Sequence, residues 1–408
     1  MNQKYRLLIS LIIGVIIPNP IFSCTIFCIK DKHGQMWAGN NEDFYWFDFS
    51  TQIRIIPKTD STLSFMYFSY DKHNFPQGGV NEAGVFFDAN MVEVSDIKDA
   101  DKKVNFPGGT NELMLYMLGH CKTVPEVLTL FDNYKIPELT NAQIHLADKA
   151  GNMGIITADS SWLTAGNFQV STNYNLCHND DDYKKCWRYP IASTMLSLGV
   201  PGLELMTQIC DSTSQRKGVS TIYSNVHNLT TGEIWLYYGW DYEVPYKTTF
   251  EELLALGDTV IMVRDLFADQ TVVKAYNAFR TKGFNEGLKI LNTIGDLGVK
   301  EEKLKLLSQG ALFNFDTFIE SEKVTITKNE QLIRQIIEAS SNEDILSMVA
   351  NHNISKTNKK LAERKLRSMQ DSGMSNILIS GLILGGGILL LLVFAINKIT
   401  KRKLEERY

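Results

Sequence analysis

A chain of 408 residues with 44% hydrophobic and 21% charged residues is long enough for roughly two or three domains and too apolar to be mostly disordered. Its net charge of −5, with no basic block in the main body, excludes a nucleic-acid surface. Its six cysteines are too few for a disulfide scaffold, and no Cys or His grouping has the spacing of metal ligands.

The chain opens with Lys4 and Arg6, then an apolar run from Leu7 to Ile17. Pro18 and Pro20 break any helix, and Ser23 offers a small residue for cleavage. That is the anatomy of a secretory signal over 1–23. The apolar run is too short to cross a bilayer. Cleavage after Ser23 would leave Cys24 first in the mature chain, with both a thiol and a free α-amine. A thiol attacks as thiolate and needs a base nearby. An α-amine titrates near pH ~8 and can serve as that base, directly or through water. Cys24 reads equally as the lipid anchor of a surface lipoprotein or as a disulfide partner.

Thr25–Lys30 and Gln35–Ala38 read as strands around a turn at Asp31–Gly34. This return would carry Asp43 back toward Cys24. Gln52–Ile56 and Leu63–Tyr70, rich in Ile, Phe and Tyr, are strands. Gly78-Gly79 and Asn81–Gly84 read as turns, and Val85–Ala89 as a buried strand ending at Asn90. Thr110 is placed to cap a helix with Met114, Met117, Leu118 and Cys121 on its apolar face. Thr123 and Glu126 form a capping box for a second helix, with Pro125 in its first turn and Val124, Val127, Leu128 and Phe131 at helical spacing.

Strands resume at Gln143–Ala147, Met153–Ala158 and Phe168–Thr172, the last ending at Asn173. Cys177 and Cys186 flank a polar loop and are placed to pair after export, or to stay as buried thiols. Arg188 follows, and Tyr189–Leu198 opens a helix. Ser220–Asn225 and Glu233–Tyr238 make a hairpin around Thr230–Gly232. Strands, helices and strands again imply sheet layers with helices outside, an α+β fold.

The composition shifts near Leu266. From there Lys, Glu, Leu and Asn dominate at helical spacing, and Ser355–Arg367 reads as a solvated helix or stalk. Ile377–Ile396 is uncharged and long enough to span a membrane. Lys398, Lys401, Arg402 and Lys403 follow, which puts the tail in the cytoplasm and the body on the extracytoplasmic side, periplasmic or extracellular. The expected organisation is a signal at 1–23, a domain at 24–266, a helical accessory region at 267–374, a transmembrane helix at 375–397 and a basic tail at 398–408.

Several polar residues thus stand at strand ends. Cys24-Thr25, Gly39-Asn40-Asn41-Glu42-Asp43-Phe44, Gly79-Val80-Asn81-Glu82-Ala83-Gly84, Thr172-Asn173 and Arg188-Tyr189 come in that order. With this order the chain resembles the choloylglycine hydrolase family, which includes bile salt hydrolases and penicillin V acylases. The resemblance implies an N-terminal-nucleophile hydrolase with a four-layer αββα sandwich over 24–266. It assigns the nucleophile to Cys24, the carboxylate beside the amine to Asp43, oxyanion donors to Asn173 and, with a one-residue shift, to Asn90, and the late arginine to Arg188. Bile salt hydrolases carry Arg where this chain has Asn40. Asn40 becomes a candidate substrate contact, and the departure points away from bile salts toward other linear amides.

The implied reaction is hydrolysis of a linear amide of a small N-acyl compound through a thioester on Cys24, without a cofactor. The same thioester would serve an acyltransferase. A lipidated, non-enzymatic surface protein is the reading from a different class. Membrane attachment by the C-terminal helix is expected, and a homo-oligomer is compatible with the resemblance.

Overall fold

The computed structural model describes residues 24–44, 51–70, 73–176, 186–217, 219–282 and 284–294, and then 330, 333–334, 337–338, 343–351 and 355–370. The signal at 1–23, Cys177, the span at 375–397 and the tail at 398–408 lie outside the described residues. Among the described residues no helix is long and apolar enough to cross a membrane. The chain divides into two compact units, Met1–Tyr276 and Asn277–Tyr408.

Among the described residues the first unit holds seventeen strands. They are β1 (Thr25–Lys30), β2 (Met36–Phe44), β3 (Thr51–Ile56), β4 (Phe65–Tyr70), β5 (His73–Asn81), β6 (Val85–Met91), β7 (Val104–Asn105), β8 (Tyr134–Lys135), β9 (Ala142–Asp148), β10 (Met153–Ile156), β11 (Ser161–Leu163), β12 (Phe168–Ser171), β13 (Arg216–Lys217), β14 (Val219–Asn228), β15 (Glu233–Tyr238), β16 (Asp241–Thr249) and β17 (Thr259–Met262). One sheet runs β12-β1-β2-β14-β15-β16, with β13 on β14; a second runs β11-β10-β9-β6-β5-β4-β3-β17. Both are antiparallel throughout their paired strands.

Alternation along each strand divides its side chains between two faces. In β4, Phe65 and Tyr67 pack against the helices Thr110–His120 and Val124–Asn133. Phe68 points the other way and stacks on Tyr223 of the first sheet, ring centroids 4.9 Å apart. In β1, Phe27 and Ile29 pack with the helices Arg188–Leu198 and Leu203–Thr213. Cys28 points between the sheets, 3.2 Å from His145 of β9. The order of layers is therefore helix pair, sheet, sheet, helix pair. Burial of each large apolar side chain contributes ~1.5–3 kcal/mol, and these layers bury Phe27, Phe68, Phe86 and Phe87 almost completely.

Local signals explain the helix positions. Thr123 caps the second helix by accepting from Glu126 N at 3.4 Å, and Pro125 sits in its first turn. The reciprocal half of the box is displaced, because the Glu126 carboxylate accepts from Lys122 N at 2.7 Å. The first helix is not capped by Thr110. Its N-cap is Gly109 at φ 86, a left-handed geometry that glycine adopts without strain.

Gly78 and Gly79 are not a turn but lie inside β5. A Cβ on Gly79 would sit 2.6 Å from Met66 O of the neighbouring strand, so the glycine permits close approach of two backbones. In the second unit, residues 356–370 are helical, but not fully solvated. Asn358 donates to Glu330 O at 2.8 Å, Lys365 Nζ donates to Ile337 O at 2.7 Å, and Ala362 is buried.

Candidate functional site

The β1–β2 hairpin carries the nucleophile candidate. Thr25 pairs with Asn41, so one further step of the register sets Cys24 across from Glu42. Alternation then sends Asn41 and Asp43 toward the outer helices and Asn40 and Glu42 between the sheets. Asn41 Nδ2 donates to Cys210 O at 2.9 Å and to Thr213 Oγ1 at 3.0 Å, which anchors the hairpin to the Leu203–Thr213 helix. Glu42 meets the opposite sheet. Its Oε1 accepts the Tyr70 hydroxyl at 3.0 Å, and its Oε2 accepts the Cys24 thiol at 3.6 Å.

Asp43 sits on the other face. Its carboxylate accepts from Gln215 Nε2 at 2.9 Å and from the Thr221 hydroxyl. Arg188 Nη1 lies 3.8 Å from Asp43 Oδ2. The same nitrogen donates to Cys24 O at 2.6 Å and Thr25 Oγ1 at 2.9 Å, while Nη2 donates to Asn173 Oδ1 at 2.8 Å. One buried guanidinium thus ties Cys24, Asp43 and Asn173 together. Its planar fork suits three acceptors at fixed directions, which a lysine could not match.

The two asparagines are held more tightly than free oxyanion donors would be. Asn173 Nδ2 donates to Met91 O at 2.8 Å, and Asn90 Nδ2 donates to Thr172 O. Gln143 Nε2 also donates to Thr172 O, at 2.9 Å, and to Tyr174 O at 2.9 Å. Asn90 therefore joins the cluster through the residue before Asn173, and not by direct contact with Cys24. For either amide to hold an oxyanion, the other hydrogen on its Nδ2 must do it.

Asn40 is fully buried on the same strand face as Glu42, and its side chain helps stabilise that carboxylate. Asn81, also within the motif, is structural. Its Nδ2 donates to Leu118 O at 2.9 Å and Cys121 O at 2.7 Å, closing the end of the Thr110–His120 helix.

Burial governs the electrostatics. Desolvation, then the charges of Glu42 and Asp43, push the Cys24 thiol well above its ordinary range, and a backbone hydrogen bond from Asp43 pulls partly the other way. At neutral pH the thiol therefore keeps its proton unless a neighbour takes it. Burial lifts Asp43 to about 7, against the lowering effects of Arg188, Thr221 and Gln215. Burial lifts Glu42 to about 7, against hydrogen bonds from Tyr70 and Cys24 and the lowering effect of the nearby Asn40 side chain. Asp88 of β6 is raised well above the carboxylate range by burial and by the charge of Glu42.

A second thiol–imidazole contact competes for attention. Cys28 Sγ lies 3.2 Å from His145 Nε2, and His145 Nδ1 lies 3.2 Å from Ser171 Oγ. Burial lowers His145 to about 3 and raises the Cys28 thiol far above neutrality. Both stay neutral, and both are sealed between the sheets, so this trio is packing and not a catalytic triad. Among the described residues no group of His, Cys, Asp and Glu could hold a metal ion.

Glu42, Tyr70, Asp88, Gln215 and Thr221 were not among the sequence candidates. The observed register, which pairs Thr25 with Asn41, is what sets Glu42 and not Asp43 opposite Cys24.

No family model matches the chain, and no curated protein matches its sequence. Among solved structures it is similar to a mutant conjugated bile acid hydrolase from Clostridium perfringens, at 13% identity over 58% of this chain and 95% of that one, with a TM-score of 0.42. It is similar to the Caenorhabditis elegans ortholog of N-acylethanolamine-hydrolyzing acid amidase, at 17% identity over 51% and 93%, with a TM-score of 0.41. It is also similar to penicillin V acylase from Agrobacterium tumefaciens, at 13% identity over 58% and 90%, with a TM-score of 0.38.

Proposed function

We propose that this chain is a hydrolase of linear amide C–N bonds, acting on an N-acyl compound through a thioester on Cys24. The observation that carries the reading is the Arg188 hub, which binds the carbonyl of Cys24 and the side chains of Thr25 and Asn173 beside Asp43. A lipid anchor or a simple packing cysteine has no use for a buried arginine, two carboxylates and two asparagines arranged around it. The ordered motifs from Cys24 to Arg188 support the same reading.

In this mechanism the signal is cleaved after Ser23 and Cys24 becomes the first residue. The thiol loses its proton as sulfur attacks the amide carbonyl. The Asn173 and Asn90 amides donate to the developing oxyanion. The intermediate collapses, the amine leaves, and water then cleaves the thioester. Arg188 and Asp43 hold the main chain at Cys24 in register during both steps. The reaction as written needs no cofactor. Export and anchoring by the 375–397 segment belong to the same proposal, with the catalytic unit on the extracytoplasmic side.

The test is turnover of a panel of N-acyl amides by the full chain expressed in membranes, together with its N-terminal peptide mass. An unmodified Cys24 at the N-terminus and turnover lost in Cys24→Ser support the reading. A diacylglyceryl mass on Cys24, or undiminished turnover in Cys24→Ser, overturns it.

A further inference from the structure

We infer that Glu42 is the proton acceptor for the Cys24 thiol and then the proton donor to the departing amine, an inference that rests on the hydrolase reading above. The geometry that carries it is direct. The thiol already donates to Glu42 Oε2 at 3.6 Å, and Tyr70 fixes the other carboxylate oxygen at 3.0 Å. The register of the hairpin sets the two residues opposite each other. Asp43, the carboxylate next in sequence, is turned to the far face of the sheet and is engaged by Gln215, Thr221 and Arg188.

The groups facing Glu42 are Cys24 at the start of β1, with its α-amine once the signal is cleaved, Asn40 on its own strand, Tyr70 from β4, Asp88 from β6 and Tyr223 from β14, while Asp43 acts on it by charge from the other strand face. The Arg188 guanidinium is paired with Asp43. Burial lifts Glu42 to about 7, where a carboxylate both accepts and returns a proton readily.

The proton balance closes. The S–H bond breaks, its proton goes to Glu42 Oε2, and the sulfur pair forms the C–S bond while the carbonyl π pair moves to oxygen. On collapse the C–N bond breaks and the nitrogen takes the proton from Glu42, which leaves a thioester and a free amine. The ionised Glu42 then takes a proton from water as its oxygen adds to the thioester carbonyl. The C–S bond breaks, and the thiol recovers that proton.

Two measurements on the full chain test this. The first needs no substrate: iodoacetamide labelling of Cys24, followed by peptide mass spectrometry across pH. Proton sharing predicts that the rate rises with pH and levels off near pH 7, once the pair has lost one proton and Glu42 shares the remaining one with the thiol. In Glu42→Gln the levelling disappears and the rate keeps rising. In Tyr70→Phe, which removes a hydrogen bond that favours the ionised form, the levelling moves to higher pH. Identical profiles in wild type and either variant overturn the inference, and Tyr70→Phe decides if Glu42→Gln fails to fold.

The second compares an N-acyl amide with the aryl ester of the same acyl group. An aryl oxide leaves without a proton, and an amine does not. Glu42→Gln should lose amide turnover by about a hundredfold or more while ester turnover falls far less. Amide turnover that is unchanged or faster in Glu42→Gln overturns the inference. Absence of any amide turnover in the wild type, with the labelling profile intact, overturns the hydrolase reading and supports the proton sharing.

Discussion

Glu42 and Asp43 are adjacent in sequence, yet Glu42 meets the Cys24 thiol between the sheets while Asp43 meets Arg188 on the outer face. One residue of strand separates a carboxylate that touches the nucleophile candidate from one that holds its surroundings. The division follows from β-alternation alone. It gives the two acids different consequences when they are altered.

Removal of Arg188 should be costly in stability as well as in activity. The guanidinium is buried and donates to Cys24, Thr25 and Asn173 beside Asp43. Arg188→Met removes the counter-ion of the buried Asp43 carboxyl and one donor from each of three acceptors, and should lower unfolding stability by about 3 kcal/mol. Arg188→Lys should recover only part of it, because an ammonium cannot reach three acceptors from one plane. Urea midpoints measure both. A wild-type midpoint in Arg188→Met would remove the hub from the account.

The raised carboxyls make a signed prediction for stability against pH. Asp43 and Glu42 are lifted to about 7 when folded, above the ~4 of an unfolded carboxyl. Folding therefore favours their protonated forms. The stability they contribute is fully present below about pH 4 and is lost as pH rises through about 7. Asp43→Asn and Glu42→Gln should each flatten the fall in urea midpoint between pH 5 and pH 7.5. A wild-type midpoint that rises over that interval, with variants parallel to it, would contradict the assignment.

Cys28 should be silent. It is sealed between the sheets beside a neutral His145. Iodoacetamide should label Cys24 and leave Cys28 unlabelled until the protein is unfolded. Cys28→Ala should keep amide turnover within about twofold, at a stability cost of about 1 kcal/mol for the small cavity. Labelling of native Cys28 at a rate comparable to Cys24 would show that the inter-sheet space is open.

Much of the fold was legible from local pattern. The strands Thr25–Lys30 and Glu233–Tyr238 were read to the residue, since each is apolar and bounded by turn residues. The Val124–Asn133 helix followed from its cap and its proline. Features that depend on partners elsewhere in the chain were not legible. Gly78 and Gly79 look like a turn and serve instead as room for a neighbouring strand. The strand Asp241–Thr249 contains Pro245, lies at the edge of its sheet and is mostly half-buried, so neither composition nor alternation marks it.

The site divides in the same way. Cys24, Asp43, Asn173 and Arg188 were singled out by their order along the chain, and one hydrogen-bonded cluster contains them all. Glu42 was passed over because a second acid beside Asp43 looks redundant until the strand register is known. Gln215 and Thr221 lie more than 170 positions from Asp43 and carry no motif, so only the packing of β2 against β14 reveals them.

The most direct measurement is an acid-quenched reaction of the full chain with an activated ester of an N-acyl compound, read by peptide mass spectrometry. The account predicts an acyl group on Cys24 and on no other cysteine, absent from Cys24→Ser, whose turnover falls by about a thousandfold or more. An acyl group elsewhere, or hydrolysis that proceeds at the wild-type rate without Cys24, would contradict it.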